Sequence, residues 1–165
     1  MSAKAAVTDA ALTALLKAPR RIAVLGYSAN NTRASNHVTS YMASNGHRMV
    51  GVNPAATSAA AGPVTVVPTL AAAYETFAVT TDRTGSGDAD APAIEIVDVF
   101  RKPDALPGIV AEVLQLPTKP RLVFLQEGVT HAESEAALAA AGIDVISNRC
   151  LLKEHQRLVG LGSGL

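Results

Sequence analysis

The chain has 165 residues, of which 48% are hydrophobic and 17% charged, so it can bury a core and form one folded domain over residues 1–165. Its formal net charge is zero, which argues against a nucleic-acid or acidic-membrane partner, because both require a concentrated positive surface. A single cysteine excludes an internal disulfide and favours a cytoplasmic setting. No apolar run approaches the roughly 20 residues that span a bilayer.

The first predicted element is a short helix in the leading segment, residues 1–20. The hydrophobic pattern indicates a helix over residues 8–17, with Leu12, Leu15 and Leu16 on one face. We expect this helix to cover one end of a sheet, whose first strand follows at residues 22–25.

Strand and helix patterns then alternate along the chain. After the first strand, helices are predicted over residues 35–45, 103–116, 132–141 and from 151 towards 158, and strands over residues 49–52, 64–67, 95–99, 122–125 and 144–146. This alternation is typical of βαβ units and predicts an α/β three-layer sandwich, with a mostly parallel sheet flanked by helices. Residues 76–93 interrupt the pattern with a polar, glycine-containing stretch, which we predict to be a mobile insertion.

A small polar turn follows the first strand and precedes a helix. Gly26 ends the strand, Tyr27 and Ser28 open the turn, Arg33 is its only cation, and Ser35 is a suitable N-cap. Free N–H groups at a helix N-terminus carry a partial positive charge that attracts phosphate, and arginine binds phosphate through two hydrogen bonds. The sequence therefore predicts that this turn binds an anionic nucleotide cofactor.

The turn departs from the fingerprint of dinucleotide-binding proteins. Only the first glycine of that fingerprint is present, because Ser28 and Asn31 stand at the other two glycine positions. After the second strand comes Asn53, where a carboxylate would bind the ribose of NAD. An NAD(P)-dependent oxidoreductase is therefore the less favoured alternative, whereas phosphate binding by hydroxyl and backbone N–H groups is unaffected.

Further polar or cationic residues follow the other predicted strands. In a parallel sheet, ligands bind beyond the carboxyl ends of the strands. The residues at those ends are Asn53, Pro54, Phe100, Arg101, Gln126, Glu127, Gly128, Asn148 and Cys150. Several such positions at one edge of the sheet indicate one extended binding site.

The sequence offers no convincing catalytic or metal-binding constellation. No two of its four histidines have the spacing of metal ligands, and one cysteine cannot form a zinc–thiolate cluster. Cys150 and His155 could form a catalytic pair, but a spacing of five places them on poorly matched faces of the last helix. We therefore predict neither a metal site nor an enzymatic activity of the chain alone.

The strand-end segments resemble the CoA-binding family. The resemblance extends from about Arg20 to Leu158 and is most specific at Asp98-Val99-Phe100-Arg101 and at residues 149–158. Members of this family are small proteins with a Rossmann-like fold, similar to the N-terminal domain of the succinyl-CoA synthetase alpha subunit. The sequence departs from the family where Asn148 replaces an aspartate that many members have.

The resemblance assigns each group of strand-end residues to a part of CoA. It implies that the CoA phosphates contact Gly26, Tyr27, Ser28, Arg33 and Ser35. It implies that the adenosine end and the groove are bordered by Asn53, Pro54, Phe100 and Arg101. It implies that the pantetheine arm lies along Gln126, Glu127, Gly128, Asn148 and Cys150.

The resemblance implies a protein that binds CoA or an acyl-CoA and catalyses no reaction by itself, since the phosphorylated histidine and the nucleotide site of the synthetase belong to parts that this chain lacks. Two alternatives stay open: an NAD(P)-dependent oxidoreductase, and an interaction module whose nucleotide pocket is vestigial. Because CoA ends in a thiol, Cys150 is also a candidate for a mixed disulfide with CoA. The sequence specifies neither a protein partner nor a homodimer.

Overall fold

A computed structural model describes residues 6–55, 64–79 and 91–160 of the chain. Within these residues, six strands form one sheet in the order β3-β2-β1-β4-β5-β6, and all neighbouring strands are parallel. The strands are β1 (Arg21–Leu25), β2 (Arg48–Val52), β3 (Thr65–Val67), β4 (Ile96–Val99), β5 (Leu122–Leu125) and β6 (Asp144–Ile146). The predicted parallel sheet is confirmed.

Helices cover both faces of this sheet. The described helices are α1 (Asp9–Lys17), α2 (Ala34–Ser44), α3 (Leu70–Val79), α4 (Leu106–Gln115), α5 (Ala132–Ala140) and α6 (Leu151–His155). Helices α1, α2 and α6 pack on one face, and α3, α4 and α5 pack on the other. The order of the strands and the three layers are those of a Rossmann-like α/β fold, as the sequence predicts.

Strand β1 lies in the middle of the sheet and shows how the core is divided. All five of its residues are buried. Ile22 and Val24 face α1, α2 and α6, whereas Ala23 and Leu25 face the opposite helices. A strand that is apolar on both faces belongs in the centre of a parallel sheet, which explains its continuous hydrophobic pattern.

The structure differs from the sequence-based expectations between β3 and β4. Helix α3 was not predicted, and its last four residues, Thr76 to Val79, occupy the start of the expected insertion. Thr69 accepts a hydrogen bond from the N–H of Ala72, so a side chain caps the first turn. At the other end of the expected insertion, Ala91 and Ala93 are buried. Residues 80–90 lie outside the described residues.

The last helix also differs in form from the expectation. Helix α6 has five residues, and the chain continues into a wider π-helical turn, Gln156–Gly160. The hydroxyl group of Tyr41 on α2 lies 2.8 Å from Nδ1 of His155 on α6. This contact joins the C-terminal halves of two helices whose N-termini lie at the carboxyl edge of the sheet.

An ionic cluster closes the opposite, amino-terminal edge of the sheet. The carboxylate of Glu95 is fully buried and lies 2.8 Å from Arg20, 3.4 Å from Arg21 and 4.0 Å from Arg121. The guanidinium group of Arg21 also donates to the carbonyls of Pro92 and Ala93. These contacts join the starts of β1, β4 and β5.

Candidate functional site

A cavity of about 400 Å³ opens at the carboxyl ends of β1, β2 and β4. This is the point at which chain connections leave the sheet in opposite directions, where ligands bind in doubly wound folds. The lining residues are Gly26, Tyr27, Ser28, Arg33, Ala34, Ser35, Asn53, Pro54, Phe100 and Arg101. The structure therefore brings nine of the fourteen predicted site residues together around one cavity, and it adds Ala34.

Gly26 allows the first turn to approach the end of β4. Its φ is +80°, and a Cβ atom placed there would lie 2.5 Å from the carbonyl oxygen of Phe100. Backbone hydrogen bonds fix this approach: the N–H of Gly26 donates to Val52, and the N–H of Phe100 donates to Leu25. Only glycine meets both conditions, because other residues are strained at this φ and would collide with the carbonyl.

Side-chain hydrogen bonds shape the turn. The N–H of Ser28 donates to the hydroxyl oxygen of Ser35 at 3.0 Å, and the side-chain amide of Asn36 donates to the carbonyl of Ser28 at 3.0 Å. The prediction that Ser35 is the N-cap is wrong, because α2 begins one residue earlier and Arg33 is the N-cap. The hydroxyl group of Ser35 therefore holds the turn closed instead of capping the helix.

Two arginines give the cavity its charge. Arg33 and Arg101 are exposed and line the cavity, and no lining residue is acidic. Neither guanidinium group makes an ion pair or hydrogen bond with another described residue. The N–H groups of Ala34 and Ser35 belong to the first turn of α2, where no intrahelical acceptor exists. The cavity is thus a set of free donors and positive charges, which suits an anion.

Tyr27 and Asn53 form the inner part of the site. The ring of Tyr27 lies on the backbone of Gly51, where a Cβ atom would come within 2.6 Å of the ring. Asn53 donates its side-chain amide to the carbonyl of Tyr27 at 3.0 Å, and its side-chain oxygen accepts from Ala55 at 2.9 Å. Sequence reasoning missed Gly51, although a glycine inside a strand is the usual signal of such a close approach.

The remaining five predicted residues, which we call the distal group, do not line this cavity. They are Gln126, Glu127, Gly128, Asn148 and Cys150, at the carboxyl ends of β5 and β6. The N–H of Gly128 donates to the side-chain oxygen of Asn148 at 2.8 Å, which ties the two loops together. Cys150 is half-buried and begins α6, and its mixed disulfide with CoA stays a prediction.

Comparison with known protein families identifies the family to which this fold belongs. The sequence profile of a family described as CoA binding domain matches residues 20–156, which include the cavity and the distal group. The chain belongs to this CoA-binding domain family. The match confirms the resemblance that the strand-end segments predict.

Relatives of similar length share this architecture. The chain is 30% identical over 148 residues to the uncharacterized protein YneT of Bacillus subtilis (strain 168), and the match covers 90% of this chain and 94% of that protein. A Thermus thermophilus protein, solved as cell-free ID.343, is 35% identical with a TM-score of 0.73, over 92% of this chain and 98% of that one. A hypothetical protein from Pyrococcus horikoshii OT3, 24% identical, has the same fold, with a TM-score of 0.73 over 97% of this chain and 100% of that chain.

Neither a metal-ligand cluster nor a membrane-spanning helix occurs in the part of the chain that the structure describes. Within it, no three histidine, cysteine, aspartate or glutamate side chains lie close enough together to hold a metal ion. No described helix is long and apolar enough to cross a membrane.

Proposed function

We propose that this protein binds CoA or an acyl-CoA in the cavity and catalyses no reaction by itself. The observation that carries the proposal is the pair of guanidinium groups of Arg33 and Arg101, which make no ion pair with any described residue and face one cavity from two different elements. CoA carries phosphate groups at two separate places, on its diphosphate bridge and on its ribose. Two separated cations match that distribution of charge better than a single basic patch would.

The first turn of α2 suits the diphosphate. Arg33 and the free N–H groups of Ala34 and Ser35 would hold its oxygens, while Arg101 would hold the ribose phosphate. A volume of about 400 Å³ falls within the range of about 300–1,000 Å³ typical of small-molecule sites. It suits the nucleotide part of CoA, so the pantetheine arm would continue along the edge of the sheet to the distal group.

The chemistry of the lining residues supports binding without catalysis. No carboxylate, histidine or cysteine is among the residues that line the cavity in the described part of the chain. General acid–base catalysis relies mainly on those groups, and the hydroxyl groups of Tyr27, Ser28 and Ser35 have no base among the lining residues to activate them. We place this function in the cytoplasm, because the chain has one cysteine and so no internal disulfide.

The side chain of Asn53 argues against NAD as the ligand. Both ends of its amide are already engaged, by the carbonyl of Tyr27 and by the N–H of Ala55. Dinucleotide-binding proteins place a carboxylate here, whose oxygens accept hydrogen bonds from the ribose hydroxyls. An amide that holds the turn together is a poor substitute for that acceptor.

Mass spectrometry of the ligand released from the purified protein, together with calorimetric titration, tests the proposal. We expect CoA to be released, and added CoA to bind to the emptied protein with micromolar affinity, about 8 kcal/mol. NAD should show no heat of binding under the same conditions. Saturable binding of NAD and none of CoA would favour the oxidoreductase, and binding of neither would favour the interaction module.

A further inference from the structure

A buried carboxyl group lies below the cavity wall. Asp98 is the third residue of β4, two residues before Phe100, and it is completely buried. It lies on the sheet face that α2 and α6 cover, because the neighbouring Ile96 packs there. Its partners in the sheet are Val24 on β1 and Phe124 on β5, both apolar. A charged carboxylate would lose its hydration in this position.

Only one of the two carboxyl oxygens of Asp98 has a hydrogen-bond partner among the described residues. The side-chain amide of Gln126 donates to Oδ1, whereas Oδ2 has no partner within the described residues. No cation pairs with it among the ion pairs of the described chain. Burial raises the pKa of Asp98 to about 8, and the hydrogen bond from Gln126 opposes that rise. At neutral pH the group is therefore mainly a neutral carboxylic acid.

The contact between Asp98 and Gln126 lies between the cavity and the distal group. On one side, β4 continues into Phe100, whose N–H donates to Leu25 at 2.8 Å and whose carbonyl faces Gly26. On the other side, the backbone carbonyl of Gln126 accepts a hydrogen bond from the N–H of Val129 and so closes the turn that contains Gly128. A continuous set of bonds thus links the cavity wall to the loops at the ends of β5 and β6.

We propose that Asp98, as a neutral carboxylic acid, is a positioning residue that keeps the cavity wall and the distal group aligned for CoA, so that CoA binding weakens at alkaline pH. The inference rests on the proposed function. Its physical basis is that an ionised carboxylate between β1 and β5 draws water into a dry part of the sheet. The strand ends on either side then separate, and the two parts of the site lose their alignment.

Other titratable groups lie on the elements that cover this face. Those buried or half-buried are Tyr27 after β1, Tyr41 on α2, His47 before β2, Cys150 at the N-cap of α6, and His155 on α6. The substitution Asp98→Asn keeps all of them, retains the oxygen that accepts from Gln126, and removes only the titration of Asp98. The difference between the pH dependence of CoA binding in the wild type and in this variant therefore reports Asp98 alone. The titration of CoA itself is common to both proteins and cancels.

Calorimetric titration with CoA from about pH 6.5 to about pH 9 tests the proposal. We expect the wild-type Kd to rise about tenfold more than that of Asp98→Asn, because a group with a pKa of about 8 leaves about one tenth of the protein competent at pH 9. Asp144→Asn, at the opposite edge of the sheet, should follow the wild type. Asp98→Leu should bind CoA several-fold more weakly even at pH 6.5, because the amide of Gln126 loses its acceptor.

The possible results distinguish the role of Asp98 from CoA binding itself. Equal pH dependence in the wild type and Asp98→Asn would overturn the inference while leaving CoA binding intact. Equal affinity of Asp98→Leu and Asp98→Asn for CoA would show that Asp98 has no positioning role. Urea unfolding without ligand is a separate check: the wild type should lose stability relative to Asp98→Asn as the pH rises towards 8, and parallel profiles would refute the neutral acid. No CoA binding by the wild type at any pH would refute the proposed function, and this inference with it.

Discussion

Two kinds of residue make the cavity: cations that have no partner among the described residues, and small residues that leave room. Arg33 and Arg101 are exposed, so their guanidinium groups are accessible from solvent. Gly26 and Gly51 contribute by lacking a side chain, one beside the carbonyl of Phe100 and the other beneath the ring of Tyr27. Substitutions at these two kinds of position should therefore affect different properties.

Substitution of Arg33 by alanine should weaken CoA binding without affecting stability. A charge-assisted hydrogen bond contributes about 1.5–3 kcal/mol, which corresponds to a rise in Kd of about ten- to a hundredfold. The side chain is exposed and makes no ion pair in the described chain, so unfolding in urea should be unchanged. Lys119→Ala removes a cation from an exposed loop at the other edge of the sheet and serves as the control. An unchanged Kd in Arg33→Ala would make Arg33 an ordinary surface residue.

Substitution of Gly26 by alanine should destabilise the fold and close the cavity. The new Cβ atom would meet the carbonyl of Phe100 at 2.5 Å, in addition to the strain at a φ of +80°. Gly46→Ala is the matched control, since its φ is +92° and no atom lies within 4 Å of its Cβ position. Urea unfolding should give about 1 kcal/mol of destabilisation for Gly46→Ala and at least about 2 kcal/mol for Gly26→Ala. Equal losses in the two variants would contradict the close approach.

At the scale of elements, α2 and α6 are joined through a group of three rings. The ring of His155 lies at nearly right angles to those of Tyr41 and His47, with centroids 5.2 and 5.7 Å away. His47 is buried and accepts a hydrogen bond from the N–H of Arg20 through Nδ1, while its Nε2 atom has no partner among the described residues. This group couples α2, which follows the polar turn, to α6, whose N-cap is Cys150.

The packing of α2 against α6 through these three rings should weaken in acid. Burial, then the nearby His155 and Arg20, lower the pKa of His47 to about 4. The unfolded chain therefore binds a proton at His47 below about pH 6.5, whereas the folded chain binds it only near pH 4. The free energy of unfolding therefore falls as the pH is lowered across this interval. We expect a loss of about 2–3 kcal/mol in urea unfolding between these limits, and a smaller loss in His47→Gln. A wild-type slope in His47→Gln would contradict the prediction.

The sequence predicts those elements whose pattern is determined locally. The bounds of β5 and β6 are as predicted: β5 is an apolar run that follows Arg121, and β6 begins two residues after Gly142. Helix α3 was missed because its alanine-rich start lacks a clear apolar face and Thr76 resembles the beginning of a loop. Ser35 was wrongly predicted to be the N-cap because its hydroxyl oxygen accepts a hydrogen bond from the N–H of Ser28, seven residues earlier. No local pattern reveals that partner.

Sequence reasoning predicts that the candidate residues share the carboxyl edge of the sheet, where the structure has them, but it does not divide them into groups. All fourteen follow strands, and a parallel sheet brings such positions to one edge. The division into a cavity and a distal group depends on contacts across the sheet, such as Asp98 with Gln126 and Gly128 with Asn148. Side-chain geometry between strands that are distant in sequence determines those contacts.

For the whole molecule, CoA should act as a stabiliser. A ligand that binds only the folded state at about 100 times its Kd contributes about 2.7 kcal/mol. For a chain of this size, that should raise Tm by about 5–10 °C. A thermal-shift titration should show this rise with CoA and none with NAD, and Arg33→Ala should need a higher CoA concentration for the same rise. A rise with NAD and none with CoA would contradict the proposed ligand.

The order of the strands has a consequence for the newly made chain. Strand β1 and its polar turn are synthesised early, but β4, their neighbour in the sheet, follows about 70 residues later. Since Phe100 and Arg101 supply one wall of the cavity, a nascent chain carries the polar turn long before it carries this wall. Chains that stop before Phe100 contain the whole turn but lack the wall that β4 supplies. If the cavity binds the proposed ligand, binding should therefore report that the central sheet has assembled, which the turn alone does not.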